Sequence, residues 1–149
     1  MPDPILIREP RRDEWPAIER LVRAAWHKDY SAVGEVVLGI EALDDKVAWL
    51  RDEWNAFGSR FVVADDSGAV VGLAIAHVAE GWVWIDDLFV LPDERRHGIA
   101  RALLAQSAPA DMEVCAEVNA RNAGAIALFT RLDFERDVET IVFRRGPRG

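Results

Sequence analysis

Residues 91–104 read LPDERRHGIARALL, and the fold turns on how this stretch is taken. An apolar strand, WVWIDDLFV, runs up to Val90. A proline follows, then two arginines, then Gly98 and Ala100 at the head of an apolar-periodic segment. The pattern is a strand end, a turn and a helix start. The first turn of a helix has N–H groups without partners inside the helix, and it carries the positive end of the dipole. Anions bind there. Gly98 admits close approach by a ligand, Ala100 stays small for the same reason, and Arg95 and Arg96 add positive charge. The stretch predicts a pyrophosphate cradle built mainly from main-chain amides. It lacks both G-x-G-x-x-G and G-x-x-x-x-G-K-[ST], so it is neither the dinucleotide fingerprint nor a P-loop.

Outward from this turn the hydrophobic period orders the chain. ILIRE (5–9) alternates like a strand, and Asp13 is placed to cap a helix bearing Trp15, Ile18, Val22 and Ala25 on one face. Pro16 lies in its first turn, where proline is tolerated. Residues 27–39 read as a connection. A second helix starts near Asp44, with Val47, Leu50 and Trp54 on one face, and Gly58 ends it. RFVVAD, the turn DSG and AVVGLAIAHV form a hairpin by their turn chemistry. WVWIDDLFV is a strand, GIARALLAQSA a helix, MEVCAEV a strand and NAGAIALFTRL a helix. FERDVETIVFRR adds one or two closing strands. The order β-α-α-β-β-β-α-β-α-β predicts a mixed α/β fold, and residues 82–118 are long enough for a parallel crossover unit.

Composition narrows the function. The chain has 149 residues, enough for a single domain spanning 1–149, and a formal net charge of −8. Nucleic acid is excluded as the main partner, because phosphate binding needs a basic footprint. An acidic surface suits a cationic substrate. Cys115 is the one cysteine, so no intrachain disulfide exists, and its setting MEVCAEV reads as a buried strand with a structural thiol. His27, His77 and His97 lack metal-ligand spacing, so no metal is expected. No apolar run approaches membrane-spanning length, and the start has no signal-like segment. The expectation is a cytoplasmic protein with no membrane partner.

The stretch LFVLPDERRHGIARALL resembles the acyl-CoA signature of the GNAT N-acetyltransferases, Arg/Gln-x-x-Gly-x-Gly/Ala after a strand ending in an apolar-x-Val and a proline. It falls on Arg95, Gly98 and Ala100, with Leu88, Phe89 and Val90 as the strand end. A second block, NAGAIALFTRLDF (122–134), resembles the family's Asn-x-x-Ala-x-x-Leu-Tyr-x-x-x-Gly-Phe segment. The resemblance is close over about residues 82–134. It implies a mixed, mostly antiparallel sheet whose parallel β-α-β core splays around acetyl-CoA or a related acyl-CoA. The amides of Arg96, His97, Gly98, Ile99, Ala100 and Arg101 would hold the pyrophosphate. The main chain of Leu88, Phe89 and Val90 would pair with the pantetheine, and Asn122 would hydrogen-bond it. The implied reaction is direct attack of an amine on the thioester. The acceptor would be a small amine, a polyamine, an amino-acid-like compound or a protein amine, and homodimers are frequent in the family.

Two positions depart from the family pattern. Phe129 replaces a tyrosine that commonly donates to the CoA sulfur. A thiol titrates near 8.5, so a thiolate leaves tolerably without such help. The substitution keeps a rival reading open, a non-catalytic acyl-CoA sensor or interaction domain. A pyrophosphate-binding α/β protein outside the family is the other rival. Asp133 stands where a glycine usually ends the helix, and aspartate tolerates the left-handed conformation. Within WVWIDDLFV, strand alternation puts Asp86 with Trp84 and Leu88, and Asp87 with Ile85 and Phe89. A bulge, which family strands carry here, would re-aim one of them. The pair resembles the Glu-Asp of polyamine-type members, and Asp86 is favoured over Asp87 as the base that takes the acceptor's proton. Glu80 and Glu117 are further candidates. Tyr30 is a candidate donor. Of Trp26, Trp54, Trp82 and Trp84, one or two are expected to reach the cleft.

Overall fold

The computed structural model describes residues 4–29, 43–94, 98–118, 123–137, 143 and 145–146. Tyr30, Arg95, Arg96, His97, Asn122 and most of the expected closing strand lie outside the described residues. β1 (Leu6–Arg8) leads into a short 3-10 turn at Arg12–Glu14 and then α1 (Trp15–Asp29). α2 (Leu43–Ala56) is followed by β2 (Arg60–Asp66), β3 (Ala69–Ala79) and β4 (Trp82–Val90). α3 (Ile99–Ser107), β5 (Val114–Ala116) and α4 (Ala123–Arg131) complete the described elements. The sheet order is β1-β2-β3-β4-β5. Its first three pairings are antiparallel, and β4–β5 is parallel. Among the described residues, no helix is long and apolar enough to cross a membrane.

Tight two-residue turns set the register of the central strands. Ser67 and Gly68 (φ 52° and 96°) join β2 to β3, and Glu80 and Gly81 (φ 57° and 83°) join β3 to β4. Positive φ at both central residues matches the right-handed twist of the flanking strands. Asp65 Oδ1 also accepts from the Gly68 amide at 2.7 Å.

Helices cover both faces of the sheet. On one face Ile18, Leu21, Val22 and Ala25 of α1, with Val47, Leu50 and Trp54 of α2, bury against Val63, Leu73, Ile75 and Phe89. On the other, Ile99 and Leu103 of α3 pack on Val62, Ala64, Ala74 and Val90. Gly72 makes this approach possible. A Cβ built there would lie 3.0 Å from Leu103 Cδ1 and 3.1 Å from Ile99 Cγ2. Such contacts force a neighbour to move, and overpacking of this kind typically costs about 1–3 kcal/mol. A third cluster, around Val83, Ile85 and Leu104, receives Phe129, Leu132 and Phe134 from α4 and its end.

Two helix ends correct the sequence reading. Asp13 is expected to cap α1, but its side chain is 81 % exposed and lies 3.5 Å from Arg11 Nε. Glu14 does the capping, accepting from the Arg11 amide at 2.7 Å, because its longer arm folds back under the turn. It also meets Arg8 Nη1 at 2.7 Å and Nη2 at 2.9 Å, and Arg11 Nη2 at 3.5 Å. At the end of α2, Phe57 (φ 57°) takes the left-handed position expected of Gly58. The Arg12 guanidinium stacks 4.1 Å over Trp54 and 4.0 Å over Phe57, and Nη2 donates to the Trp54 carbonyl at 2.9 Å. Cation–π contact and the bonded carbonyl offset the strained backbone.

Candidate active site

α3 opens at Gly98, whose φ is 78°. A left-handed residue is needed where the chain swings from the strand end into the helix, and glycine adopts it without strain. A Cβ at Gly98 would meet none of the described residues within 4 Å, which leaves space above it among them. The Ala102 amide bonds the Gly98 carbonyl at 3.1 Å, which starts the helical ladder. The amides of Ile99, Ala100 and Arg101 precede that bond and have no acceptor within the helix. The Arg101 side chain points elsewhere: Nη2 donates to the Arg131 carbonyl at 3.0 Å, at the end of α4.

The second part of the site is where β4 and β5 separate. Their ladder runs through Val83↔Val114, Trp84↔Cys115 and Ile85↔Ala116. β4 then continues to Val90, while β5 ends at Ala116. Parallel strands that share a ladder for three residues and then part leave a wedge between them. At its mouth lies a groove of about 520 Å³, lined by His77, Ala79, Glu80, Trp84, Ile85, Asp86 and Glu117.

The adjacent acids of β4 have different fates, and a bulge separates them. β3 pairs Ala76 with Ile85 and Ile75 with Asp87, so Asp86 is the extra residue. Simple alternation is therefore broken. Asp87 shares a face with Phe89 but not with Ile85, which packs on the opposite side with Leu104. Asp86 likewise parts from Leu88 and turns to the side of His77. Asp87 is buried, 5 % exposed at the side chain, with Lys46 Nζ of α2 at 3.0 Å. Asp86 lines the groove, and its Oδ2 lies 2.7 Å from His77 Nδ1.

His77 is the groove residue that the sequence reading missed. A signal for it exists: the Glu80–Gly81 turn sets Ala79 opposite Trp82, hence His77 opposite Trp84, diagonal to Asp86 on one face. Of the four tryptophans considered, Trp26 and Trp54 are buried. Trp84 lines the groove, and Trp82 stands beside it with ring centroids 6.2 Å apart. Cys115 is half-buried in β5, and burial first, then the charges of Glu113 and Asp137, push its thiol pKa up, which suits a structural role.

Phe129 sits in the apolar cluster at the end of α4. Asp133 takes the left-handed conformation expected of it (φ 67°). The Phe134 amide bonds the Phe129 carbonyl at 3.0 Å, and the Asp133 amide bonds the Thr130 carbonyl at 3.2 Å. This is a Schellman ending, and its usual hydrophobic contact is the edge-on pair Phe129–Phe134, with centroids 5.0 Å apart.

The acetyltransferase (GNAT) domain family matches residues 57–136, more than half of the chain, and the chain belongs to that family. It is an N-acetyltransferase. No curated protein gives a significant match. Among solved structures, the aminoglycoside N-acetyltransferase AAC(6')-Iy in complex with CoA is similar in fold, with a TM-score of 0.69 and 19% identity over 97% of this chain and 98% of that one. The PaiA N-acetyltransferase of Thermoplasma acidophilum, also with coenzyme A, gives 0.65 and 14% over 87% and 88%. The aminoglycoside 6'-N-acetyltransferase AAC(6')-Ih of Acinetobacter baumannii gives 0.67 and 18% over 98% and 100%.

Proposed function

We propose that this domain transfers an acetyl group from acetyl-CoA to a cationic primary amine bound in the groove beside Asp86. The observation that carries the acceptor class is the groove's lining, in which Glu80, Asp86 and Glu117 stand around Trp84 and His77. Three carboxylates with an aromatic wall favour an ammonium group over an anion or an apolar ligand. The solved relatives with CoA and with aminoglycoside specificity support the same pairing of acyl donor and amine.

The residues present fit an acyl-CoA. The open left-handed turn at Gly98 and the amides of Ile99, Ala100 and Arg101 would take the pyrophosphate. The wedge between β4 and β5 would admit the pantetheine along Leu88, Phe89 and Val90. When bound, the thioester supplies an activated acyl carbon and a good leaving group. Asp87, locked to Lys46 inside the fold, is assigned to structure, although it was expected among the catalytic acids.

The test is thiol release from acetyl-CoA with a panel of primary amines headed by spermidine, lysine and kanamycin. Amine-dependent release is expected, and Glu117→Gln should raise KM for the best amine about threefold to tenfold with little change in kcat. An anionic or neutral acceptor outperforming every cationic amine would overturn the acceptor class. In a thermal-shift comparison, acetyl-CoA should raise Tm more than ATP does.

A further inference from the structure

Asp86 is engaged by a side chain of the protein itself. Its Oδ2 lies 2.7 Å from His77 Nδ1, short enough for a charge-assisted hydrogen bond. A carboxylate accepts, so Nδ1 must donate. A neutral imidazole that carries its proton on Nδ1 carries its lone pair on Nε2. His77 is 38 % exposed at its side chain and Asp86 24 %, and both line the groove. We infer that His77 Nε2, oriented by Asp86, is the base that takes the proton from the acceptor amine, and that Asp86 is a positioning residue. The inference rests on the groove being the acceptor site.

The proton balance is simple. The bound ammonium gives one proton to Nε2 and becomes a nucleophile. Its nitrogen bonds the acyl carbon, and the C–S bond breaks with its electron pair leaving on sulfur. The nitrogen's second proton ends on the thiolate, and the imidazolium returns its proton to water through the open side of the groove. Among the described residues, the charged and titratable groups around the ring are Asp86 on β4, Glu80 in the β3–β4 turn and Glu117 after β5. Cys115 lies in the next strand opposite Trp84, and the Lys46–Asp87 pair reaches the sheet from α2 one residue beyond Asp86. The carboxylates favour the incoming ammonium.

His77→Asn separates base from scaffold. Its amide nitrogen can still donate to Asp86, but it offers no basic nitrogen in place of Nε2. With the best amine of the panel, kcat should fall about a hundredfold near neutral pH, with KM within about threefold of wild type. The rate should recover towards pH 10, where the amine loses its own proton. Asp86→Asn should lower kcat about tenfold. In ring-¹⁵N spectra of the wild type, His77 should carry its proton on Nδ1, and Asp86→Asn should shift that preference. An active wild type whose His77→Asn variant keeps full kcat and an unchanged pH profile overturns the base assignment alone. So does a wild-type ring protonated on Nε2. A wild type that releases no thiol with any amine overturns the underlying transfer reading, and the base with it.

Discussion

Two charged corners of this molecule use similar side chains for opposite ends. Where β1 meets α1, Arg8 holds Glu14 with two hydrogen bonds and Asp65 with two more, at 3.2 and 3.1 Å. The three side chains are 19 %, 9 % and 17 % exposed. In the groove, His77 and Asp86 form one contact and keep an open side. The first corner spends its hydrogen-bonding capacity on itself and joins strand to helix. The second lines the groove and leaves Nε2 outside the contact with Asp86. Saturated charge is scaffold here, and half-saturated charge is available for chemistry.

The comparison breaks most visibly at Glu14. Glu14→Ala removes one of the two carboxylate partners of Arg8, with its two hydrogen bonds, and the acceptor of the Arg11 amide, and should cost about 3 kcal/mol in urea unfolding. His77→Asn should cost less than about 1 kcal/mol in the same measurement. Equal losses would erase the contrast. The pH dependence sharpens it. The Arg8 hydrogen bonds, ahead of an opposing burial cost, and then the Arg11 amide hold the Glu14 carboxyl at about 2, against 4.5 ordinarily. The same contacts raise the Arg8 pKa, so it stays charged throughout. A depressed carboxyl pKa gives stability that is fully present above about 4.5 and lost as pH falls through about 2. Wild type should therefore lose on the order of 1–3 kcal/mol across that window that Glu14→Ala does not lose.

Next in size is Asp87→Asn. It leaves Lys46, 16 % exposed, beside a neutral amide within the fold, and should cost about 2 kcal/mol. Asp86→Asn, one residue earlier, should shift unfolding by less than about 1 kcal/mol while slowing the reaction. Gly98→Glu follows. A carboxylate in the open space over the α3 start should weaken acetyl-CoA binding about tenfold, or about 1.4 kcal/mol, by calorimetry. The smallest effect is expected from Phe129→Tyr, which should leave stability within about 0.5 kcal/mol and raise turnover severalfold if the new hydroxyl serves the leaving thiol. An unchanged rate with full acetyl-CoA affinity would show that the ring serves only the helix end it shares with Phe134.

Much of the fold was legible because local chemistry and tertiary packing agree. The buried faces Trp15/Ile18/Val22/Ala25 and Val47/Leu50/Trp54 follow the helical period, and the Asp65–Gly68 hairpin follows from its turn residues. The misreadings are places where a distant group chose the outcome. Glu14 outbids Asp13 because Arg8, on another element, holds it. Phe57 takes the strained position because Arg12 stacks on it from across the chain. In the site, the glycine turn was visible because its requirement is a backbone one. The partner of Asp86 was legible too, since the Glu80–Gly81 turn sets His77 opposite Trp84; what strand alternation does not reveal is the inserted residue in β4 that parts Asp86 from Leu88 and Asp87 from Ile85.

That inserted residue also keeps two demands apart. With Asp86 excised in thought, Ile85 and Asp87 become consecutive, opposite Ala76 and Ile75, and the ladder is regular. Asp86 therefore holds no place in the ladder that a packing residue would otherwise fill. A strand that is one position longer than its partner can present a carboxylate to a groove without giving up a core side chain.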